Sequence, residues 1–222
     1  MTDQPDITLY YFPRACSLAV HIALEEAGFD YCRQIVDLRT KAQKSPEFLA
    51  INPVGTVPAM LIGDQLLSET QAILTYIGDT APAGPLLPPS GHQDRYRAHQ
   101  WMNFLSSSVH AYIRSIFRPS AYAPIEDAAA QAAVRRQGHV NLATAVATVE
   151  ARLAAGPFAL GDDFSVVDCY LFLMYLWSCD GRIDTVPDRP KWAALAEQVW
   201  RRPAVKSVVA VEQQDRDFII PF

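Results

Sequence analysis

Between Ala81 and Gly91 the chain reads APAGPLLPPSG, with four prolines and two glycines in eleven residues. Proline lacks an amide hydrogen and has a fixed φ, so no helix or central strand runs through such a stretch. The segment reads as a stiff linker and divides the 222 residues into two parts with different hydrophobic periods. Before it, strand and helix patterns alternate. ITLYYF at 7–12 suits a strand, and Cys16 to Ala27 suits a helix, with Leu18, Ile22, Ala23 and Ala27 at helical spacing and Gly28 as its stop. Tyr31 to Val36 suits a second strand, which completes a βαβ unit. Val57 to Ile62 and Gln65 to Leu67, separated by Gly63-Asp64, suit a hairpin. Ser68 to Asp79 then suits a helix.

After the linker every periodic stretch is helical: 92–117, 125–155, a Ser165-Val-Val-Asp168 capping box leading into an apolar run, and two short helices at 190–200 and 203–213, each with proline in its first turn. The expected domains are therefore 1–82, of α/β type, a linker at 83–91, and an all-α unit at 92–222.

Composition narrows the function by exclusion. Half of the residues are apolar and 19% are charged, which suits a packed core and not a disordered chain. No apolar run reaches the roughly 18 residues of a membrane span; the longest, Val166 to Trp177, contains Asp168. The N-terminus, MTDQPDITLYYF, has neither the basic region nor the apolar stretch of a secretion signal, so the expected compartment is the cytoplasm. Cysteines 16, 32, 169 and 179 include no CxxC pair and form no disulfide framework, and no metal site is expected. Residues 1–82 hold five Lys/Arg against ten Asp/Glu, the whole of the net charge of −5, while 92–222 hold fourteen of each. Neither part has the basic face of a nucleic-acid binder.

Three motifs can carry chemistry. Tyr11-Phe-Pro-Arg-Ala-Cys-Ser17 places Cys16 and Ser17 after a strand, at the opening of a helix, where amide N–H groups and the dipole favour a thiolate and predict a lowered thiol pKa. The serine is placed to donate a hydrogen bond to a bound thiolate. The other three cysteines read as packing residues, the usual fate of a cysteine in an apolar pattern. Ile51-Asn-Pro-Val-Gly-Thr-Val-Pro-Ala59 leads into a strand through Val57-Pro58, where a cis bond would turn the Val57 backbone toward an extended peptide ligand; an ordinary loop proline is the simpler account of this motif by itself. Leu67-Ser-Glu-Thr70 opens another helix with two hydroxyls and free N–H groups, a place for a carboxylate, and with Glu69 for an ammonium. A ligand with a thiol, a peptide group and a free α-amino acid end would engage all three.

Taken together, YFPRACSLAVHIALEEAG, VDL-x-x-K, FLAINPVGTVPAML, LLSETQAILTYI and FSVVDCYLF closely resemble the bacterial, beta-class glutathione transferases, in order and over essentially the whole chain. The resemblance implies a thioredoxin-like N-terminal domain, an all-α C-terminal helical bundle, a homodimer, and binding of reduced glutathione as co-substrate for a small hydrophobic electrophile. It implies that Cys16 lies beside the glutathione sulfur, with Ser17 next to it, and that Lys41 meets the glycyl carboxylate. Val57, before a cis Pro58, would pair with the cysteinyl unit. Glu69 and Thr70 would hold the γ-glutamyl end, and Asn103 and His110 would approach the sulfur and the dimer cleft. Cys16, Ser17 and His110 are thus the catalytic candidates. From the residues alone, His110 is more simply a half-buried helical histidine with one hydrogen bond.

The sequence departs from that pattern at Arg14, where relatives usually carry glycine, at Thr70 in place of glycine or serine, and at Ala111, where many carry lysine. A cation at position 14 would stand at the mouth of the site. Arg114 and Arg118 share a helix face with His110 and can compensate for the missing lysine or serve as solvated or dimer-bridging charges. Two other activities fit the same motifs: a monothiol–disulfide exchange through a Cys16–glutathione mixed disulfide, and non-catalytic sequestration of apolar ligands by Trp101, Phe104, Tyr112, Phe117, Tyr122 and Trp177.

Overall fold

The computed structural model describes residues 6–153, 155–183 and 187–222; the first five residues of the N-terminal stretch discussed above, and Ala154 near the end of the expected 125–155 helix, lie outside them. The first unit runs β1 (Ile7–Tyr11), α1 (Ser17–Ala27), β2 (Tyr31–Ile35), α2 (Pro46–Ile51), β3 (Ala59–Ile62), β4 (Gln65–Ser68) and α3 (Thr70–Thr80). The strand order is β2-β1-β3-β4. β1 pairs parallel with β2, Ile7 opposite Tyr31, and antiparallel with β3, Leu9 opposite Met60. The pleat sends Ile7, Leu9 and Tyr11 to one face, against α1 and α3, and Tyr10 to the other, where it meets Val36, Phe48 and Ala59.

Three readings of this half need correction. Hydrophobic periodicity misses the short α2 helix, although Ser45 caps it by accepting a hydrogen bond from Phe48 N–H at 3.2 Å and Pro46 occupies its first turn. The helix expected from Ser68 starts at Thr70, because Ser68 closes β4 opposite Ala59. Cys32 is exposed on the edge strand β2, and only Cys169 is fully buried.

The second unit is helical: α4 (Gln93–Phe104), a π-helical turn (Leu105–Val109), α5 (His110–Phe117), α6 (Ala128–Arg152), α7 (Val166–Ser178), α8 (Pro190–Trp200) and α9 (Pro203–Asp215). α7 is apolar on every side and almost wholly buried. Its Asp168 carboxylate accepts from Ser165 N–H at 2.8 Å, Ser165 O–H at 2.9 Å and Ala159 N–H at 2.8 Å. The capping box thus also ties down the loop before the helix. None of the described helices is long and apolar enough to cross a membrane.

The linker is packed against both units. Leu87 is buried over Gly78, where a Cβ would come within 2.7 Å of its side chain. Arg95 of α4 forms a paired contact with Asp79 of α3 across the linker, one arm at 2.7 Å. The apolar core continues from the sheet through α1 into α7 and the C-terminal helices. The face of α1 turned from the sheet meets α7 and α9.

Candidate active site

Cys16 is the N-cap of α1 and is reached through a tight loop after β1. Ser17 builds that loop: its hydroxyl donates to Phe12 C=O at 3.0 Å and accepts from Phe12 N–H at 3.1 Å. Ser17 is fully buried and does not line the cavity. Its one proton is already committed, so it sets the position of Cys16 and does not donate to a ligand sulfur.

Arg14 explains its own unusual place. It sits at φ 60°, the left-handed region that suits glycine and costs other residues about 1 kcal/mol or more. Contacts from the second unit hold it there. Its N–H donates to the Glu212 carboxylate at 2.9 Å, its C=O accepts from the Trp177 indole at 2.8 Å, and its guanidinium reaches Leu176 C=O at 3.0 Å and Asp180 at 3.6 Å. Arg14 therefore binds the loop to α7 and α9 as well as facing the cavity.

A cavity of about 500 Å³ opens beside this loop, between the two units. Cys16 and Val57 line it from the first unit, His110, Phe117 and Trp177 from the second. His110 Nε2 lies 4.0 Å from Cys16 Sγ. Its ring stands edge-on to Trp177 with centroids 5.4 Å apart. The Val57–Pro58 bond is cis, as expected, and β3 begins two residues after Val57, which is left at the cavity wall.

The lowered thiol pKa expected for Cys16 is not found. Burial pushes the thiol up to about 12, and a hydrogen bond from Thr70 offsets only part of this. Desolvation outweighs the single helix end. His110 is shifted below its ordinary value, first by burial and then by the Arg114 charge. At neutral pH the pair is thus a protonated thiol facing a neutral imidazole.

The remaining sequence candidates divide. Thr70 is buried against Cys16. Glu69, the α3 N-cap, and Lys41 both have positive φ, at 70° and 62°; both are exposed and neither lines the cavity, nor does Asn103, exposed two turns before His110. In the cavity wall near Lys41 stand Arg39 and Lys44, two cations the motif reading passed over. Of the six aromatics considered for an apolar cleft, only Phe117 and Trp177 reach the cavity, whereas Trp101 lies in the core. The described residues hold no cluster of three metal-ligating side chains.

Comparison with known proteins follows the same division. The glutathione S-transferase N-terminal domain pattern matches residues 5–79 and the C-terminal domain pattern matches 131–197. Glutathione S-transferase GstA of Escherichia coli O157:H7 is 31% identical, covering 92% of this chain and 98% of its own. A Sulfitobacter glutathione transferase homologue, solved with bound glutathione, is 33% identical with a TM-score of 0.83, over 96% of this chain and 99% of its own. The bacterial beta-class enzyme of Sphingomonas chungbukensis is 32% identical with a TM-score of 0.76, over 92% and 98%. A thioredoxin-like sheet unit joined to a helical unit, with a cysteine at the α1 N-terminus facing a cavity between them, is therefore accompanied by full-length relatives, and the chain belongs to the glutathione S-transferase family.

Proposed function

We propose that the chain is a beta-class glutathione S-transferase that activates the thiol of reduced glutathione at Cys16 and His110 for attack on an electrophile in the interdomain cavity. The observation that carries this reading is the 4.0 Å approach of His110 Nε2 to Cys16 Sγ at the cavity wall, where burial raises the thiol pKa and lowers that of the imidazole. A thiol that keeps its proton donates a hydrogen bond to a neighbouring sulfur anion, and a neutral imidazole accepts the proton that glutathione gives up. The thiolate then forms a carbon–sulfur bond, and the leaving group departs with its electron pair. Val57, ahead of Pro58, offers its backbone to the peptide, Thr70 and Glu69 serve the γ-glutamyl end, and Lys41 serves the glycyl carboxylate. Asn103 borders the cleft of a homodimer. Ser17 acts as a positioning residue.

The test is retention on immobilised glutathione together with conjugation of 1-chloro-2,4-dinitrobenzene. Cys16→Ala and His110→Gln should each lower kcat/KM, His110→Gln by about a hundredfold to ten-thousandfold, the usual range for a lost proton-transfer partner. The wild-type profile should show an acid limb below pH 6.5, where His110 takes up a proton and ceases to accept, and that limb should vanish in His110→Gln. Wild-type turnover in both variants would refute the assignment. The high thiol pKa argues against Cys16 as an attacking thiolate, and the cationic cavity wall argues against a passive site for apolar ligands.

A further inference from the structure

Among the described residues the cavity wall carries seven cationic side chains and a single carboxylate, Asp180, in a chain of net charge −5. Apart from Arg14, which faces Asp180, these cations fall in two groups. Arg39 and Lys44 come from the first unit, on the side of Val57, and Arg39 is already paired with Asp37 at 2.8 Å. Glutathione, itself an anion with two carboxylates, accounts for this side. The second group, Arg114, Arg118, Arg182 and Arg216, comes from the helical unit. Arg182 is fixed: it pairs with Asp180 at 2.7 Å and lies flat on Phe117 at 3.7 Å. Asp180 is shared with Arg14. Arg114 and Arg118 have no carboxylate partner among the described residues. Both are exposed, on the His110 face of α5 and its C-terminal end. Arg114 rests against the Tyr122 ring, 5.5 Å from its centroid.

Resting on the transferase reading, we propose that the second substrate is an aromatic electrophile bearing a carboxylate, its ring against Trp177 and Phe117 and its carboxylate on Arg114 and Arg118. Arg114 stands four residues from His110, about 6 Å along the helix axis, and both line the cavity. Two guanidinium side chains in one cavity wall, without a carboxylate partner among the described residues, suit a carboxylate ligand. The aromatic wall beneath them rises from His110 to Trp177 and on to Phe117, centroids 5.4 Å and 6.4 Å apart. The reaction is substitution: the glutathione sulfur bonds to the ring carbon, chloride leaves with the bonding pair, and the thiol proton passes by way of His110 to solvent.

The experiment compares 4-chloro-3-nitrobenzoate with 4-chloro-3-nitrobenzamide, each kcat/KM divided by the uncatalysed rate constant with glutathione. The expected result is a preference for the benzoate of at least tenfold at low ionic strength, shrinking as salt screens the exposed arginines. In Arg114→Gln/Arg118→Gln the preference should collapse through a rise in KM for the benzoate, and Arg114→Lys/Arg118→Lys should retain part of it. The salt series uses wild-type protein and stands even where the double variant folds poorly. Turnover of the amide without preference for the benzoate overturns this inference and leaves the transferase reading intact. Turnover of neither compound while 1-chloro-2,4-dinitrobenzene is conjugated overturns this inference alone, failure with all three overturns both, and a preference unchanged in the glutamine variant overturns the assignment to these arginines.

Discussion

Burial keeps Cys16 protonated in the free protein, and this gives a direct chemical signature. Its alkylation by iodoacetamide should be slow at pH 7 and should still be rising at pH 10, because the folded thiol titrates at about 12 and the thiolate is the nucleophile. A plateau reached below pH 8 would show the opposite. The position of this cysteine was legible in the sequence, since a strand, a short loop and a helix start are readable in YFPRACS. Its titration was not legible, because desolvation depends on which side chains close over it, and those come from α3 and α5. Ser17 shows the same limit: its residue type suited a donor to sulfur, but only the folded loop shows that its proton belongs to Phe12. Asp168 was legible as a cap partner. Because it also satisfies Ala159 N–H, Asp168→Ala should cost about 2–3 kcal/mol by chemical denaturation, more than a simple cap, since it strands buried donors.

Among the elements, the helix expected over 92–117 proves to be two helices joined by a π-helical turn at Leu105–Val109. Such turns add a residue and often accompany functional sites. This one immediately precedes His110, the residue that faces Cys16. Hydrophobic periodicity read the whole stretch as helical and missed the turn, because Leu-Ser-Ser-Ser-Val suits either form. The close approach of α5 to α6 depends on Gly138. A Cβ there would fall 2.9 Å from Ile116 and would also strike the Ser115 hydroxyl. Gly138→Ala should gain up to about 1 kcal/mol in helix propensity but lose about 1–3 kcal/mol to overpacking. The net expectation is a lower Tm, by a few degrees in a thermal melt; a higher Tm would mean that α5 shifts without cost.

Across the whole molecule, the two units share one core and are joined by charged pairs that the sequence could not place. Glu212 of α9 is fully buried, 2.9 Å from His21 Nδ1 and 2.9 Å from Arg14 N–H. Asp215, in the same helix, accepts from the Tyr11 hydroxyl at 2.6 Å. Arg202 grips Glu26 at 2.6 and 2.7 Å. Glu212→Ala should cost about 3 kcal/mol by leaving His21 and the Arg14 amide without their acceptor, whereas Asp215→Asn, at an exposed position, should cost about 1 kcal/mol or less. Equal losses in urea denaturation would refute this ranking. The charge count along the chain placed the entire excess of acid in residues 1–82; only the fold shows that the cavity surface has the opposite sign, because cations from both halves converge there.

The ties between α9 and the Cys16 loop also set an order of events during synthesis. Residues 11–21 leave the ribosome early, but the carboxylates that hold them, Glu212 and Asp215, lie 191 to 204 positions later in the chain. Contacts this distant in sequence form late and carry a large loop-closure cost. The sheet can therefore assemble on the nascent chain while the loop before Cys16 waits for its final anchors. The ties of Tyr11, Arg14 and His21 to α9 form only once that helix is released, so a chain cut short before Glu212 holds every residue of the cavity's first-unit wall and lacks these anchors.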